Sequence, residues 1–127
     1  MDRTVCLNSD FIFYDGIKAP SVLNTLLSGR TELPVSSESS SFTLVKRIIC
    51  PKQINDTVSV YFSGKYESIR LFAGKKELMP VGRINENEVF NITPALKTGK
   101  TVLTAQIHGG CAEGFFLSVK RDYGNKK

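Results

Sequence analysis

Two groups of residues in this chain have types and spacings that could support chemistry: one His–Cys pair and a set of acidic side chains. His108 is followed by Gly109-Gly110-Cys111, and a cysteine nucleophile needs a base within hydrogen-bond reach of its thiolate. A glycine-rich turn does not enforce that geometry. The sequence therefore favours an exposed loop histidine, with glycines at turn positions that need positive φ.

The acidic residues Asp10, Asp15, Glu86 and Glu88 offer oxygen atoms of the kind that calcium prefers. They stand isolated in predicted loops, where carboxylates are normally solvated. Solvation is thus the primary interpretation, and a calcium site is the alternative. The sequence shows no phosphate-binding loop, zinc-ligand spacing or carboxylate pair with a partner base. We expect no catalytic residue, no bound metal and no cofactor.

A binding surface is better supported than catalysis. Four aromatic rings fall at outward or terminal positions of predicted strands: Tyr61, Tyr66, Phe116 and Tyr123. Large amphipathic rings at such positions favour contact with protein or with sugar. Together with Arg70 and His108, they make up the predicted binding surface. The absence of tryptophan from the chain favours protein over sugar as the partner.

Alternation of apolar and polar residues from Phe42 onward predicts the strands that must position this surface. Strands are expected over residues 57–63, 67–73, 77–81, 101–107 and 114–120. Turns at 63–65 and 73–76 would join the first three into a meander. The inward positions predict a core of Val58, Val60, Phe62, Ile69, Leu71, Leu103, Ala105, Ile107, Phe115, Leu117 and Val119.

The remaining segments complete one domain over residues 1–127, a length typical of a single domain. Residues 3–14 predict one or two further strands, residues 20–27 a short helix, and the serine-rich residues 36–41 a surface loop. Thr93 is expected to cap a single helical turn that begins at Pro94. Short strands at this spacing predict an all-β fold, a single antiparallel β-sandwich.

Composition excludes several classes of partner. The formal net charge is +5, from 17 basic and 12 acidic residues, but the basic residues occur in scattered pairs such as Lys46-Arg47. Nucleic-acid binders gather such charge into a stripe or tail, so solvated turns and protected strand edges explain the lysines, and no nucleic acid is expected. Neither a secretory signal nor a membrane-spanning segment is predicted. The three cysteines are expected to be reduced and mostly buried.

The order of these segments resembles a known β-sandwich. Residues 42–51 form a strand that ends in a proline turn, and residues 58–64 and 68–78 follow as further strand blocks. Residues 89–105 then contain a predicted strand, the motif Ile92-Thr93-Pro94 at the start of a helical turn, and a glycine before a predicted core strand. Over residues 42–108 this pattern is similar to the galactose-binding-like domain found as the sugar-binding domain of family 2 glycoside hydrolases.

The resemblance implies a galactose-binding-like sandwich of jelly-roll type that lacks the separate catalytic barrel of that family. The chain departs from the family pattern at Ala73, where an asparagine is usual, and at residues 83–86, where a Gly-Gly-aromatic approach is usual.

Two functions from different classes follow. The first is a non-catalytic structural or adhesion module of a larger assembly, such as a phage capsid decoration, head-fibre or tail protein. It would be made in the host cytoplasm, placed in the virion, and partnered by copies of itself or other structural proteins. The alternative is a carbohydrate-binding module for cell-surface or polymeric glycans, with a cell-surface or cytoplasmic location. An enzymatic function is disfavoured because no catalytic set is present.

Overall fold

The computed structural model describes residues 2–17, 30, 31, 33, 35, 36, 41–50, 56–96 and 100–120. Within these residues the chain forms twelve strands and one 3-10 turn, Thr93–Ala95. The strands are β1 (Asp2–Cys6), β2 (Phe11–Asp15), β3 (Arg30–Thr31), β4 (Val35–Ser36), β5 (Ser41–Ile49), β6 (Thr57–Lys65), β7 (Ser68–Ala73), β8 (Lys76–Leu78), β9 (Pro80–Ile84), β10 (Asn87–Asn91), β11 (Lys100–His108) and β12 (Cys111–Lys120).

Two antiparallel sheets enclose the core. Sheet A has the order β1-β12-β6-β10-β9, with β4 also paired to β12, and sheet B has the order β3-β2-β5-β11-β7-β8. Each sheet turns one face toward the other, as sandwich architecture requires. The predicted all-β antiparallel sandwich with one short helical turn is confirmed. No helix in the described part of the chain is long and apolar enough to cross a membrane.

All eleven predicted core residues are buried, which confirms the faces assigned to their strands. Alternation was sufficient because each strand of a sandwich turns every second side chain inward. The core cluster also contains residues beyond the predicted eleven, among them Phe11, Phe42, Phe90, Ile92 and Leu96. The predicted strands of residues 3–14 are confirmed as β1 and β2. The predicted helix of residues 20–27 lies outside the described residues, as do residues 37–40 of the predicted loop.

β6 and β7 follow each other in sequence but lie in different sheets. β6 pairs with β12 in sheet A, and β7 pairs with β11 in sheet B. The segments β6–β7 and β11–β12 therefore form one long antiparallel two-stranded ribbon, which passes from sheet A to sheet B. The predicted meander is wrong here, because alternation reports the face of a residue and not its pairing partner. The turn predicted at residues 63–65 is also wrong, since β6 continues to Lys65.

The ribbon crosses between the sheets where two connections lie close together: residues 66–67 between β6 and β7, and residues 109–110 between β11 and β12. The Glu67 backbone N–H donates to the His108 carbonyl oxygen, and the nitrogen and oxygen atoms are 2.8 Å apart. Gly110 packs so tightly that an added Cβ would lie 1.7 Å from the Lys65 carbonyl oxygen. His108 is the last residue of β11 and is half-buried. The expectation of an exposed loop histidine is therefore wrong, because strand pairing extends to this residue.

Thr93 does not cap the 3-10 turn, so that prediction is wrong. The cap position is Ile92, and no side chain caps the turn. The Thr93 hydroxyl instead accepts the Val58 backbone N–H at 2.8 Å and lies 3.3 Å from the Val58 carbonyl oxygen, to which it donates. The Thr93 backbone N–H donates to Asn91 Oδ1 at 2.9 Å. Thr93 thus fastens the turn to β6 at the point where β10 ends.

Replacing Thr93 by alanine is expected to lower the free energy of unfolding by about 1–2 kcal/mol, because the Val58 N–H loses its acceptor. Thr93→Ser keeps the hydroxyl and is the matched control, so it should retain most of the stability. Urea denaturation of both variants measures the difference. Equal losses in the two variants would show that the hydroxyl does not carry this contribution.

Two further expectations about side-chain exposure need correction. Arg47 is exposed, but its neighbour Lys46 is buried, with Nζ donating to the Ser9 carbonyl oxygen and lying 5.0 Å from the centre of the Phe11 ring. Lys46 is therefore not a solvated surface lysine. None of the three cysteines forms a disulfide. Only Cys50 is buried, whereas Cys6 is exposed, so the cysteines are not mostly buried.

Candidate functional site

Two aromatic rings stack on the outer face of sheet A. Tyr61 of β6 and Phe116 of β12 are directly opposite in register. Their ring centroids lie 5.1 Å apart, with 18° between the ring planes. They face outward because their neighbours Val60, Phe62 and Phe115 point into the core. Both rings are half-buried, so each keeps part of its surface open to a ligand.

A row of polar side chains runs beside this pair. Thr4, Ser118, Ser59 and Asn91 are aligned by register across β1, β12, β6 and β10. The Thr4 and Ser118 hydroxyl oxygens are 2.9 Å apart and hydrogen-bonded. Tyr61, Phe116 and these four polar residues are called the aromatic face below. It is a mixed aromatic and polar surface that spans β1, β12, β6 and β10.

Gly114, two residues before Phe116 on β12, makes room for the Phe116 ring. A Cβ added at Gly114 would lie 3.1 and 3.4 Å from two carbon atoms of the Phe116 ring. The ring therefore leans over Gly114, along the strand and close to the sheet. Gly114 is opposite Ser63, beside the bulge between Ala112 and Gly114. The missing side chain at Gly114 is what lets the ring lie across the surface of the sheet.

The aromatic face has the chemistry of a surface that binds an amphipathic ligand. Two near-parallel rings offer apolar area, and hydroxyl and amide groups alongside them donate and accept hydrogen bonds. Tyr61 carries its own hydroxyl, which makes no hydrogen bond to another described residue. A planar or chair-shaped ligand with an apolar side and hydroxyl edges matches this arrangement.

Tyr66, a predicted member of the binding surface, does not join the aromatic face. Its ring packs against the core, and its hydroxyl donates to the Phe62 carbonyl oxygen at 2.6 Å. Burial raises the pKa of Tyr66 to about 12, a hydrogen bond with Asn87 opposes the rise, and the charge of Glu88 adds to it. The expectation that Tyr66 points away from the core is wrong.

Arg70 lies on sheet B and is separated from the aromatic face by the core. Its guanidinium makes two hydrogen bonds to Glu77, at 2.9 and 2.7 Å. This hydrogen bonding is the main reason that the pKa of Glu77 is lowered and that of Arg70 is raised. The guanidinium also lies 5.4 Å from the centre of the Phe72 ring. Arg70 is thus engaged within its own sheet.

The remaining predicted residues are also apart from the aromatic pair. His108 ends β11 in sheet B, opposite Ser41 and Ser68. The Cys111 thiol donates to Glu113 Oε2 at 3.9 Å. Tyr123 lies outside the described residues. Among the residues that the structure describes, no group of three His, Cys, Asp or Glu side chains is placed to hold a metal ion.

Sequence reasoning missed the polar row. Thr4, Ser59, Ser118 and Asn91 alternate with core residues, so their outward position was open to prediction. Their alignment was not, because it depends on β1 and β10 flanking the β12–β6 pair. The sequence did offer one signal. In each of two strands, a serine lies two positions from an outward aromatic residue: Ser59 from Tyr61, and Ser118 from Phe116.

Comparison with known proteins identifies the fold. The sequence matches no protein-family model and no curated protein. Solved structures do match it. A β-glucuronidase from Bacteroides uniformis aligns with a TM-score of 0.77 and 14% identity over 94% of this chain. A glycosyl hydrolase family 2 member from Bacteroides cellulosilyticus aligns with a TM-score of 0.75 and 12% identity over 94% of this chain.

A β-glycosidase from Bacteroides vulgatus aligns with a TM-score of 0.71 and 14% identity over 92% of this chain. The alignments cover only 18%, 21% and 20% of the β-glucuronidase, the family 2 member and the β-glycosidase. The chain therefore spans about a fifth of the length of these enzymes. The resemblance to a β-sandwich domain of family 2 glycoside hydrolases is confirmed for the fold.

Proposed function

We propose that this chain is a non-catalytic carbohydrate-binding module and that the aromatic face binds the glycan. The observation that carries the proposal is the Tyr61–Phe116 pair with a row of hydroxyl and amide groups beside it. Stacked rings contact the apolar side of a sugar, and the polar row meets its hydroxyl groups. The likeness of the fold to part of several glycosidases supports the same class of ligand.

Replacing Tyr61 or Phe116 by alanine is expected to weaken glycan binding about tenfold or more, because truncating a central aromatic contact removes a large share of the binding energy. A glycan array identifies a ligand, and calorimetry then measures the affinity of each variant. Phe72→Ala is the matched control, since Phe72 is also a half-buried aromatic but belongs to sheet B. Equal weakening by Phe72→Ala would place the site elsewhere.

The second candidate is a structural or adhesion module of a larger assembly, such as a phage capsid decoration, head-fibre or tail protein. An exposed apolar edge supports it: Met79, just before the edge strand β9, and Val81, within β9, keep 72% and 65% of their surface accessible. Such an edge favours protein contact. The solved structures described above are glycosidases and not virion proteins, so we rank this candidate second.

Light scattering during size-exclusion chromatography separates the two candidates. An assembly module is expected to form oligomers whose size depends on Met79 or Val81, with no response on the glycan array. A carbohydrate-binding module is expected to bind glycan whatever its oligomeric state. If Tyr61→Ala and Phe116→Ala lose glycan binding while assembly is unchanged, the result favours the carbohydrate-binding module.

A further inference from the structure

The centre of the aromatic face carries no charged residue. Across the described strands, this face has an apolar row, Phe116 and Tyr61, which Cys6 of β1 extends. The adjacent row is polar and consists of Thr4, Ser118, Ser59 and Asn91. The polar atoms offered to a ligand are hydroxyl and amide groups. These groups hydrogen-bond to neutral hydroxyls but supply no full positive charge to a carboxylate or sulfate.

Along β12 and β6, charged residues lie toward the ends of the strands: Glu113 and Lys120 on β12, and Lys65 on β6. Lys120 is four residues from Phe116, about 13 Å at the rise of a β-strand. Glu113 is exposed and adjoins Gly114, over which the Phe116 ring leans. An anionic sugar stacked on the rings would thus meet no ammonium or guanidinium group within the two rows. That arrangement disfavours an acidic ligand at the aromatic pair.

The spacing of the two rows sets a lower limit on ligand size. Rows on one face of a strand are two residues apart, about 7 Å. A ligand that stacks on Tyr61 and Phe116 and also reaches Ser59 and Ser118 must extend beyond one stacked ring. The Ser118 hydroxyl keeps hydrogen-bonding capacity after its bond to Thr4, because a hydroxyl has one donor and two acceptor sites.

We propose that the ligand is an uncharged oligosaccharide or polysaccharide that lies along the strands of sheet A. One sugar ring stacks on Tyr61 and Phe116, and the next unit hydrogen-bonds to Ser59 and Ser118. This inference rests on the proposed carbohydrate-binding function and specifies the ligand class. The proposed ligand differs from the acidic sugar that the likeness to a β-glucuronidase would favour.

Titration calorimetry of the full chain with a soluble neutral β-glucan, a galactomannan and the acidic polymer polygalacturonate tests the proposal, each at low and high salt. We expect a neutral polymer to bind with an affinity that salt and Lys120→Gln leave unchanged. The Ser59→Ala/Ser118→Ala pair should weaken that binding about threefold to tenfold. Any attraction of polygalacturonate to the net charge of +5 should disappear at high salt.

The outcomes separate the ligand class from the function. Salt-resistant binding of polygalacturonate that is weakened by Phe116→Ala or by Lys120→Gln would overturn the uncharged ligand but keep a carbohydrate-binding module. Neutral binding that the Ser59/Ser118 variant leaves intact would overturn the two-row geometry. Binding of none of the polymers, with no response on a glycan array, would overturn both the ligand class and the proposed function.

Discussion

Replacing Gly110 by alanine is expected to lower the free energy of unfolding by about 3 kcal/mol or more. The added Cβ would lie 1.7 Å from the Lys65 carbonyl oxygen, 2.6 Å from its carbonyl carbon and 2.7 Å from the Tyr66 Cα. All three are backbone atoms, so no side-chain rotation relieves the overlap. The β6–β7 and β11–β12 connections would have to move apart, which disrupts the ribbon where it crosses from sheet A to sheet B.

Gly82→Ala is the matched control for this substitution. Gly82 is exposed on β9, and an added Cβ there meets no atom within 4 Å. The same chemical change should therefore alter the free energy of unfolding by less than about 1 kcal/mol, and a small gain is allowed because alanine restricts the unfolded chain. Chemical denaturation of both variants provides the comparison. A Gly110→Ala variant as stable as Gly82→Ala would show that the connections do not pass as closely as described.

Alternation predicted which way side chains point because that property is local. In β6, β7, β11 and β12, the rule of every second residue assigned all eleven core positions correctly. It holds in either sheet and for any pairing partner. The same locality explains the failure of the meander. β6 and β7 are consecutive and alternating, yet their partners β12 and β11 lie thirty or more positions further along the chain in each residue pair.

Side chains in the connections were the hardest to place from sequence. The sequence predicts a turn at residues 63–65, but pairing with β12 carries β6 on to Lys65 and moves the connection to Tyr66 and Glu67. Tyr66 then lies where its hydroxyl reaches the Phe62 carbonyl oxygen. Thr93 shows the same effect, because a long-range partner, the Val58 N–H, replaces the local cap. Tertiary hydrogen bonds decided both positions.

The candidate site was predictable as two separate residues but not as a surface. Tyr61 and Phe116 were both assigned outward positions, yet fifty-five positions separate them in the sequence. Only the register of β6 against β12 places them in contact. The bulge between Ala112 and Gly114 is part of that register. Nothing local marks such a bulge beyond the glycine itself, so the stacking of the two rings was a structural finding.

Phe115→Ala is expected to lower the free energy of unfolding by about 3–5 kcal/mol, the usual cost of removing a buried phenylalanine ring. Phe115 is fully buried. Its ring centroid lies 4.7 Å from that of Phe62 and 5.6 Å from that of Phe11, and Phe62 and Phe11 are themselves 5.8 Å apart. The three rings join β2 of sheet B to β6 and β12 of sheet A, so the cavity would open between the two sheets.

Phe116→Ala provides an adjacent control with the opposite expected outcome. Phe116 has the same side chain on the same strand, but it is half-buried on the outer face and stacks on Tyr61 alone among the described aromatic rings. Its loss should cost only about 1 kcal/mol of folding free energy. Urea denaturation of the two variants gives both values. Similar losses would mean that the outer face is covered like the core, and Phe116 would then be unable to contact a glycan; a loss confined to Phe115→Ala leaves Phe116 open for binding.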